Sequence, residues 1–117
     1  MAVNLLKETL EILEKHGKSP KDVKWVGSRD GKYAITWNEF EKIANITYNN
    51  SYGAQEIAED LVVVGEDWWL ERCVCDGWSE WWEFKTLPIK QSEAVKFTKA
   101  LTTLFGWNLD EINQEEV

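Results

Sequence analysis

Apolar spacing near the N-terminus predicts a helix from Val3 to His16. Apolar residues recur every three or four positions there: Val3, Leu6, Leu10 and Leu13. This spacing places them on one face of a helix. Gly17 is suited to end the helix, because glycine readily adopts the left-handed conformation of a helix C-terminus.

Strand and turn signals next predict a β-hairpin from Val23 to Trp37. Two β-prone runs flank Asp30-Gly31, a dipeptide typical of hairpin turns. A short helix should follow, because Thr36 and Glu39 have the spacing of a capping box. The residues expected to face the core from this helix are Phe40, Ile43 and Ala44.

The middle of the chain predicts an ordered loop and then a central strand. Residues from Asn45 to Gly53 include Asn49-Asn50-Ser51, which is turn chemistry. The run Leu61 to Val64 is rich in β-branched residues and suits a central strand. Gly65-Glu66 should then reverse the chain.

A Trp-rich antiparallel hairpin from Asp67 to Pro88 is the best-defined element of the pattern. Asp76-Gly77 is a strong two-residue turn signal. A turn centred there predicts three cross-strand pairs among others: Cys75 with Trp78, Arg72 with Trp81, and Trp69 with Phe84. Because side chains alternate between faces, both faces carry aromatic residues and both should be at least partly covered.

The C-terminal pattern predicts a helix that begins at Ser92 and ends near Gly106. Its apolar stripe would be Ala94, Phe97, Leu101 and Leu104. Asn108 and Glu111 have the spacing of another capping box, and residues 113–117 form an acidic tail expected to fray. The pattern therefore predicts one α+β domain over residues 1–117. Its mainly antiparallel sheet comprises an N-terminal hairpin and a three-stranded meander, packed with N- and C-terminal helices.

Composition supports an acidic globular protein with an unusual share of tryptophan. The 117 residues include eight Trp, and the formal net charge is −8. This charge disfavours direct nucleic-acid binding and anionic membranes. No segment is long and apolar enough to suggest a signal peptide or a membrane span. We therefore expect a cytoplasmic protein, although the acidic surface itself is compatible with a functional role or with solubility alone.

No catalytic, metal-binding or cofactor-binding motif is evident. Cys73 and Cys75 are expected to be ordinary reduced thiols, because a zinc site needs about four ligands and the chain has one His. His16 lacks an evident acid, base or nucleophile partner. Glu80 and Glu83 point to opposite faces of one strand, which prevents joint action on one bond. We expect no enzyme activity and no cofactor.

The residues assigned structural roles are Arg72, Trp81, Asp76 and Gly77. The predicted register places the Arg72 guanidinium against the Trp81 indole as a cation–π pair. On that basis, Trp81→Ala should lower stability by at least about 1 kcal/mol.

The tryptophans of the hairpin also suggest a recognition surface, although core packing is the more frequent role of buried Trp. Trp is enriched at interface hot spots. The candidate partner-binding residues are Trp68, Trp69, Trp78, Glu80, Trp81 and Glu83. Stacking of sugars or other small ligands on exposed Trp is an alternative, and self-assembly into a structural component is another.

The segments Asp67 to Arg72, Asp76-Gly77 and Ser79 to Pro88 resemble a group of uncharacterised Trp-rich proteins from phages and prophages of Gram-positive bacteria. The similarity is sharpest from Leu61 to Pro88. It implies a phage accessory protein acting in a bacterial cytoplasm. By analogy with small acidic phage proteins, the expected function is non-enzymatic binding of a host protein. Inhibition of a defence system such as CRISPR is one form that this binding could take.

Overall fold

A computed structural model describes residues 2–50, 55–75, 79–102 and 106–114. It forms two compact units, Met1–Leu87 and Pro88–Val117. The fold is mixed α+β with antiparallel sheets, as predicted. The single domain expected over residues 1–117 stays a prediction.

Among its described residues, the first unit has two α-helices and two sheets. The helices are α1 (Leu5–Lys15) and α2 (Trp37–Ala44), and a 3-10 turn spans Pro20–Asp22. The strands are β1 (Ala2–Asn4), β2 (Trp25–Ser28), β3 (Ala34–Ile35), β4 (Thr47–Asn49), β5 (Leu61–Val64), β6 (Trp68–Cys75) and β7 (Ser79–Thr86).

Helix α1 begins two residues later than predicted, because its N-terminal neighbours form a strand. Residues Ala2–Asn4 pair antiparallel with Thr47–Asn49, so part of the predicted 45–53 loop is also a strand. The Asn4 side chain accepts a hydrogen bond from the Lys7 N–H and caps the helix. Gly17, with φ of 71°, follows the helix as predicted.

The β2–β3 hairpin confirms the predicted turn at Asp30-Gly31. Gly31 has φ of 77°, a conformation that glycine adopts without steric cost. The Asp30 carboxylate accepts hydrogen bonds from the Ser28 hydroxyl and the Lys32 N–H. These bonds lower the pKa of Asp30.

Gly27→Ala is expected to destabilise the first unit by about 1–3 kcal/mol. A Cβ at this position would overlap the backbone carbonyl of Tyr33 in the paired segment. Thermal unfolding followed by circular dichroism measures the effect. Ala34→Ser, at an exposed position that pairs with Gly27, is the control. A variant Gly27→Ala as stable as the wild type would contradict the close backbone approach.

Helix α2 confirms the capping box but corrects one core residue. The Thr36 hydroxyl accepts from the Glu39 N–H, and the Glu39 carboxylate accepts from the Thr36 N–H. Phe40 and Ala44 are buried as predicted, but Ile43 is 62% exposed. The helix instead buries Trp37, because the stripe 37, 40 and 44 faces the core and Ile43 lies at its margin.

The larger sheet has the strand order β3-β2-β5-β6-β7. Leu61–Val64 is its middle strand, which confirms the prediction of a central strand. One row of paired residues crosses four strands: Val26, Val63, Leu70 and Phe84. The same face joins the core cluster of α1 and α2. The Trp82 indole N–H, for example, donates to the Thr9 hydroxyl at 2.9 Å.

The β6–β7 register differs from the prediction by one residue. Cys75 pairs with Ser79, Cys73 with Trp81 and Arg72 with Trp82. Three residues therefore separate the last paired positions, where the prediction assumed two; residues 76–78 lie outside the described ranges. A shift of one residue changes every cross-strand neighbour. Aromatic residues still occupy both faces, with Trp68 and Trp82 on the core face and Trp69 and Trp81 on the other.

The second unit contains helix α3 (Leu109–Gln114) and not the helix predicted to begin at Ser92. Residues 92–102 are not helical, and Phe97 and Leu101 are exposed. The reason is a competing set of hydrogen bonds. The backbone N–H groups of Thr98 and Lys99 donate to the Asn113 side chain, which donates back to the Lys99 carbonyl. Leu104 lies outside the described residues.

Helix α3 begins at the predicted capping box. The Glu111 N–H donates to the Asn108 side chain, and the Asn108 N–H donates to the Glu111 carboxylate. Ile112 is buried. Asn113 and Gln114 belong to this helix, whereas residues 115–117 of the predicted acidic tail lie outside the described ranges.

Candidate functional site

A buried charge network lies between α1, β4, β6 and β7. The Arg72 guanidinium donates to the Glu80 carboxylate at 2.8 Å, to the Tyr48 hydroxyl at 2.9 Å and to the Glu8 carboxylate at 3.3 Å. The Tyr48 hydroxyl in turn donates to the same Glu8 oxygen at 2.7 Å. These four side chains, Arg72, Glu80, Tyr48 and Glu8, are referred to below as the Arg72 network.

Electrostatics fix the protonation states of Arg72 and Tyr48 within the network. Burial alone would lower the pKa of Arg72, but hydrogen bonds to Tyr48 and Glu80 raise it above its usual value. Burial and the hydrogen bond to Glu8 raise the pKa of Tyr48 well above its usual value of 10. Arg72 therefore stays cationic, and the Tyr48 phenol keeps the proton that it donates to Glu8.

Glu80 connects the network to the backbone before β5. Its carboxylate accepts from the Glu56 N–H at 2.8 Å and from the Ile57 N–H at 3.3 Å, besides Arg72. The Glu80 N–H donates to the Asn50 carbonyl. Glu80 is 3% exposed, so its charge is compensated almost entirely by these donors.

The cation–π contact of Arg72 involves a different tryptophan from the one predicted. The Arg72 guanidinium carbon lies 4.8 Å from the Trp82 ring centroid and 5.5 Å from the Tyr48 ring. Trp81 instead pairs with Cys73 on the opposite face of the sheet. The predicted Arg72–Trp81 contact is therefore wrong, and the register shift explains why. The stability loss predicted for Trp81→Ala therefore has no physical basis. It is expected instead for substitution of Trp82, which makes the contact with Arg72.

A groove of about 250 Å³ lies beside the network, between α1 and β7. We call it the α1–β7 groove. Its wall on the helix is Glu8, Glu11, Ile12 and Lys15, and its wall on the strand is Trp81 and Trp82. Trp81 is 38% exposed and is the most exposed tryptophan in the described ranges. Glu8 belongs both to the groove and to the Arg72 network.

The predicted partner-binding residues fall into four groups. Trp68 and Glu80 are buried, and Trp69 and Glu83 are half-buried. The Trp69 indole N–H donates to the Glu71 carboxylate at 2.7 Å. Trp81 alone of the described candidates lines the groove. Trp78 and the turn residues Asp76 and Gly77 lie outside the described residues.

Sequence reasoning missed the helix side of the groove and the role of Tyr48. Positions 8, 11, 12 and 15 have the i, i+3, i+4, i+7 spacing of a single helix stripe. That stripe was recognisable in the sequence, but its proximity to β7 was not. Tyr48 carried no signal, because its partners Glu8 and Arg72 lie 40 and 24 positions away.

Comparisons with protein-family models, curated proteins and solved structures found no match to this chain. A function for the groove must therefore be argued from its own chemistry.

The described residues contain no group of three or more His, Cys, Asp or Glu side chains arranged to hold a metal ion. Cys73 is a half-buried free thiol and Cys75 an exposed one. Burial and the nearby Glu83 and Glu71 carboxylates raise the pKa of Cys73. Within the described ranges, no helix is long and apolar enough to cross a membrane.

Proposed function

We propose that this chain is a non-enzymatic accessory protein that binds a host protein through the α1–β7 groove. The observation that carries this proposal is Trp81, an indole that is 38% exposed in a groove whose helix wall is charged. Large aromatic side chains at such positions dominate the binding energy of protein interfaces. A binding function needs no catalytic group, and the sequence contains no evident catalytic motif.

Hydrogen bonds that hold two side chains of the groove in place support this proposal. Glu8 and Trp82 each line the groove and are each held from behind, by Arg72 and by the Thr9 hydroxyl respectively. A preformed surface loses less conformational entropy when a partner binds. The groove therefore combines an accessible aromatic residue, Trp81, with two side chains, Glu8 and Trp82, that are held in place by hydrogen bonds.

The setting of the proposal rests on the resemblance to Trp-rich phage proteins across Asp67 to Pro88. That resemblance implies a bacterial cytoplasm as the setting, where the partner would be a host protein. Inhibition of a defence system such as CRISPR is the specific form that we propose for this binding.

Affinity capture from a Gram-positive host lysate tests the proposal. The intact wild-type chain, Trp81→Ala and Tyr33→Ala serve as parallel baits. Tyr33 is a matched control, because it is an aromatic residue 68% exposed that does not line the groove. We expect one host protein to be retained by the wild type and by Tyr33→Ala and to be lost with Trp81→Ala.

Thermal unfolding of each bait shows whether a loss of capture reflects binding or folding. Trp81→Ala should stay folded, since Trp81 lies outside the core cluster. Equal capture by all three folded baits, or capture by none, would refute binding through the groove.

A further inference from the structure

We propose that the α1–β7 groove receives an arginine side chain from a basic segment of the partner. This inference deepens the proposed function, on which it rests. It identifies the chemistry of the group that the groove recognises.

The charge of the site favours a cation. Glu8 and Glu11 share the helix wall of the groove with Lys15. Behind Glu8, the cation Arg72 is shared with Glu80. Three carboxylates against two cations leave one negative charge. Glu8 presents this negative charge to the groove, because its side chain is 17% exposed. The side chains of Arg72 and Glu80 are at most 3% exposed. The net charge of −8 would also attract a basic segment at long range.

The shape and the aromatic wall favour the side chain of arginine. At about 250 Å³, the groove is smaller than the roughly 300–1,000 Å³ typical of small-ligand pockets. It therefore suits a side chain inserted from a larger partner. An accessible indole and carboxylates together match guanidinium, which stacks on aromatic rings and donates to carboxylates.

The protein already uses the same combination internally. Its own Arg72 lies 4.8 Å from the Trp82 ring and donates to Glu8. Trp81 and Glu11 supply a second indole and a second carboxylate in the groove, and both side chains are exposed to solvent. A partner arginine would thus meet an arrangement similar to the one that holds Arg72.

Titration of the intact protein with two nonapeptides tests the inference. One peptide has two central arginines between Gly and Ser residues, and the other has citrulline, which is isosteric but neutral, at both positions. The ¹H–¹⁵N indole signal of Trp81, assigned with Trp81→Phe, is the readout. We expect a saturable shift with the arginine peptide, weakened by added salt, and no shift with the citrulline peptide.

Two charge reversals on the same helix separate local contact from net charge. Glu11→Lys changes a residue that lines the groove, whereas Glu14→Lys changes an exposed residue that does not. Both alter the net charge equally. Glu11→Lys should weaken binding of the arginine peptide about fivefold or more, whereas Glu14→Lys should have a much smaller effect.

The outcomes distinguish this inference from the proposed function. Equal shifts with both peptides, no shift with either, or equal weakening by both reversals would overturn arginine recognition. Capture of a host protein that depends on Trp81 would still stand in that case. Conversely, a Trp81 shift that depends on Glu11, without capture of any host protein, would support arginine recognition by the groove and refute the host protein as its source.

Discussion

Arg72→Met is expected to lower the free energy of unfolding by about 3–5 kcal/mol. The substitution removes the cation that three buried or half-buried oxygen groups share, on Glu80, Tyr48 and Glu8. Methionine fills similar space but cannot donate. Glu80 would then keep a buried charge compensated only by two backbone N–H groups, and such uncompensated charges are costly.

Chemical denaturation of the purified variant measures this loss, and Arg29→Met provides the matched control. Arg29 is exposed, and its guanidinium donates to the Glu59 carbonyl at 3.3 Å. Its replacement should change stability by about 0.5 kcal/mol or less. If Arg72→Met and Arg29→Met unfold at the same denaturant concentration, Arg72 does not hold the network together.

Glu80→Gln should cost about 3 kcal/mol although it is nearly isosteric. Both carboxylate oxygens of Glu80 accept hydrogen bonds, one from the Glu56 N–H and the other from Ile57 N–H and Arg72. Glutamine replaces one of these oxygens with an NH₂ group, which can only donate. In either orientation of the amide, the NH₂ group would face the Glu56 N–H or the donors Ile57 N–H and Arg72, so a hydrogen bond is lost. It also removes the negative charge that compensates Arg72.

The local consequence of Glu80→Gln is faster hydrogen exchange at the amides of Glu56 and Ile57. Glu83→Gln is the control, because Glu83 lies on the same strand, is half-buried and points to the opposite face. Unchanged exchange at both amides, together with wild-type stability, would show that Glu80 does not anchor this segment. The double variant with Arg72→Met should lose less than the sum of the single losses, because both substitutions remove the same ion pair.

Arg72 and Glu80 also show which contacts the sequence patterns failed to predict. Arg72 was predicted to contact Trp81, whereas its guanidinium lies over the Trp82 ring. Glu80 was predicted to contact a partner and is instead buried against Arg72. Both errors involve the β6–β7 hairpin, whose turn signal indicated two residues where the register places three between the last paired positions. Turn chemistry alone does not distinguish two such registers, because core packing along the whole strand pair also contributes.

Local sequence was sufficient for several features that depend on neighbours within a few positions. The capping boxes at Thr36 and Asn108 and the left-handed Gly31 were read correctly, because their hydrogen bonds and steric limits are short-range. The tertiary structure decided what depends on distant segments: the β1–β4 pairing and the meeting of Glu8 with Arg72, 64 positions apart. The groove belongs to this second class. Its helix stripe was present in the sequence, but only packing of α1 beside the edge strand β7 places Glu11 opposite Trp81.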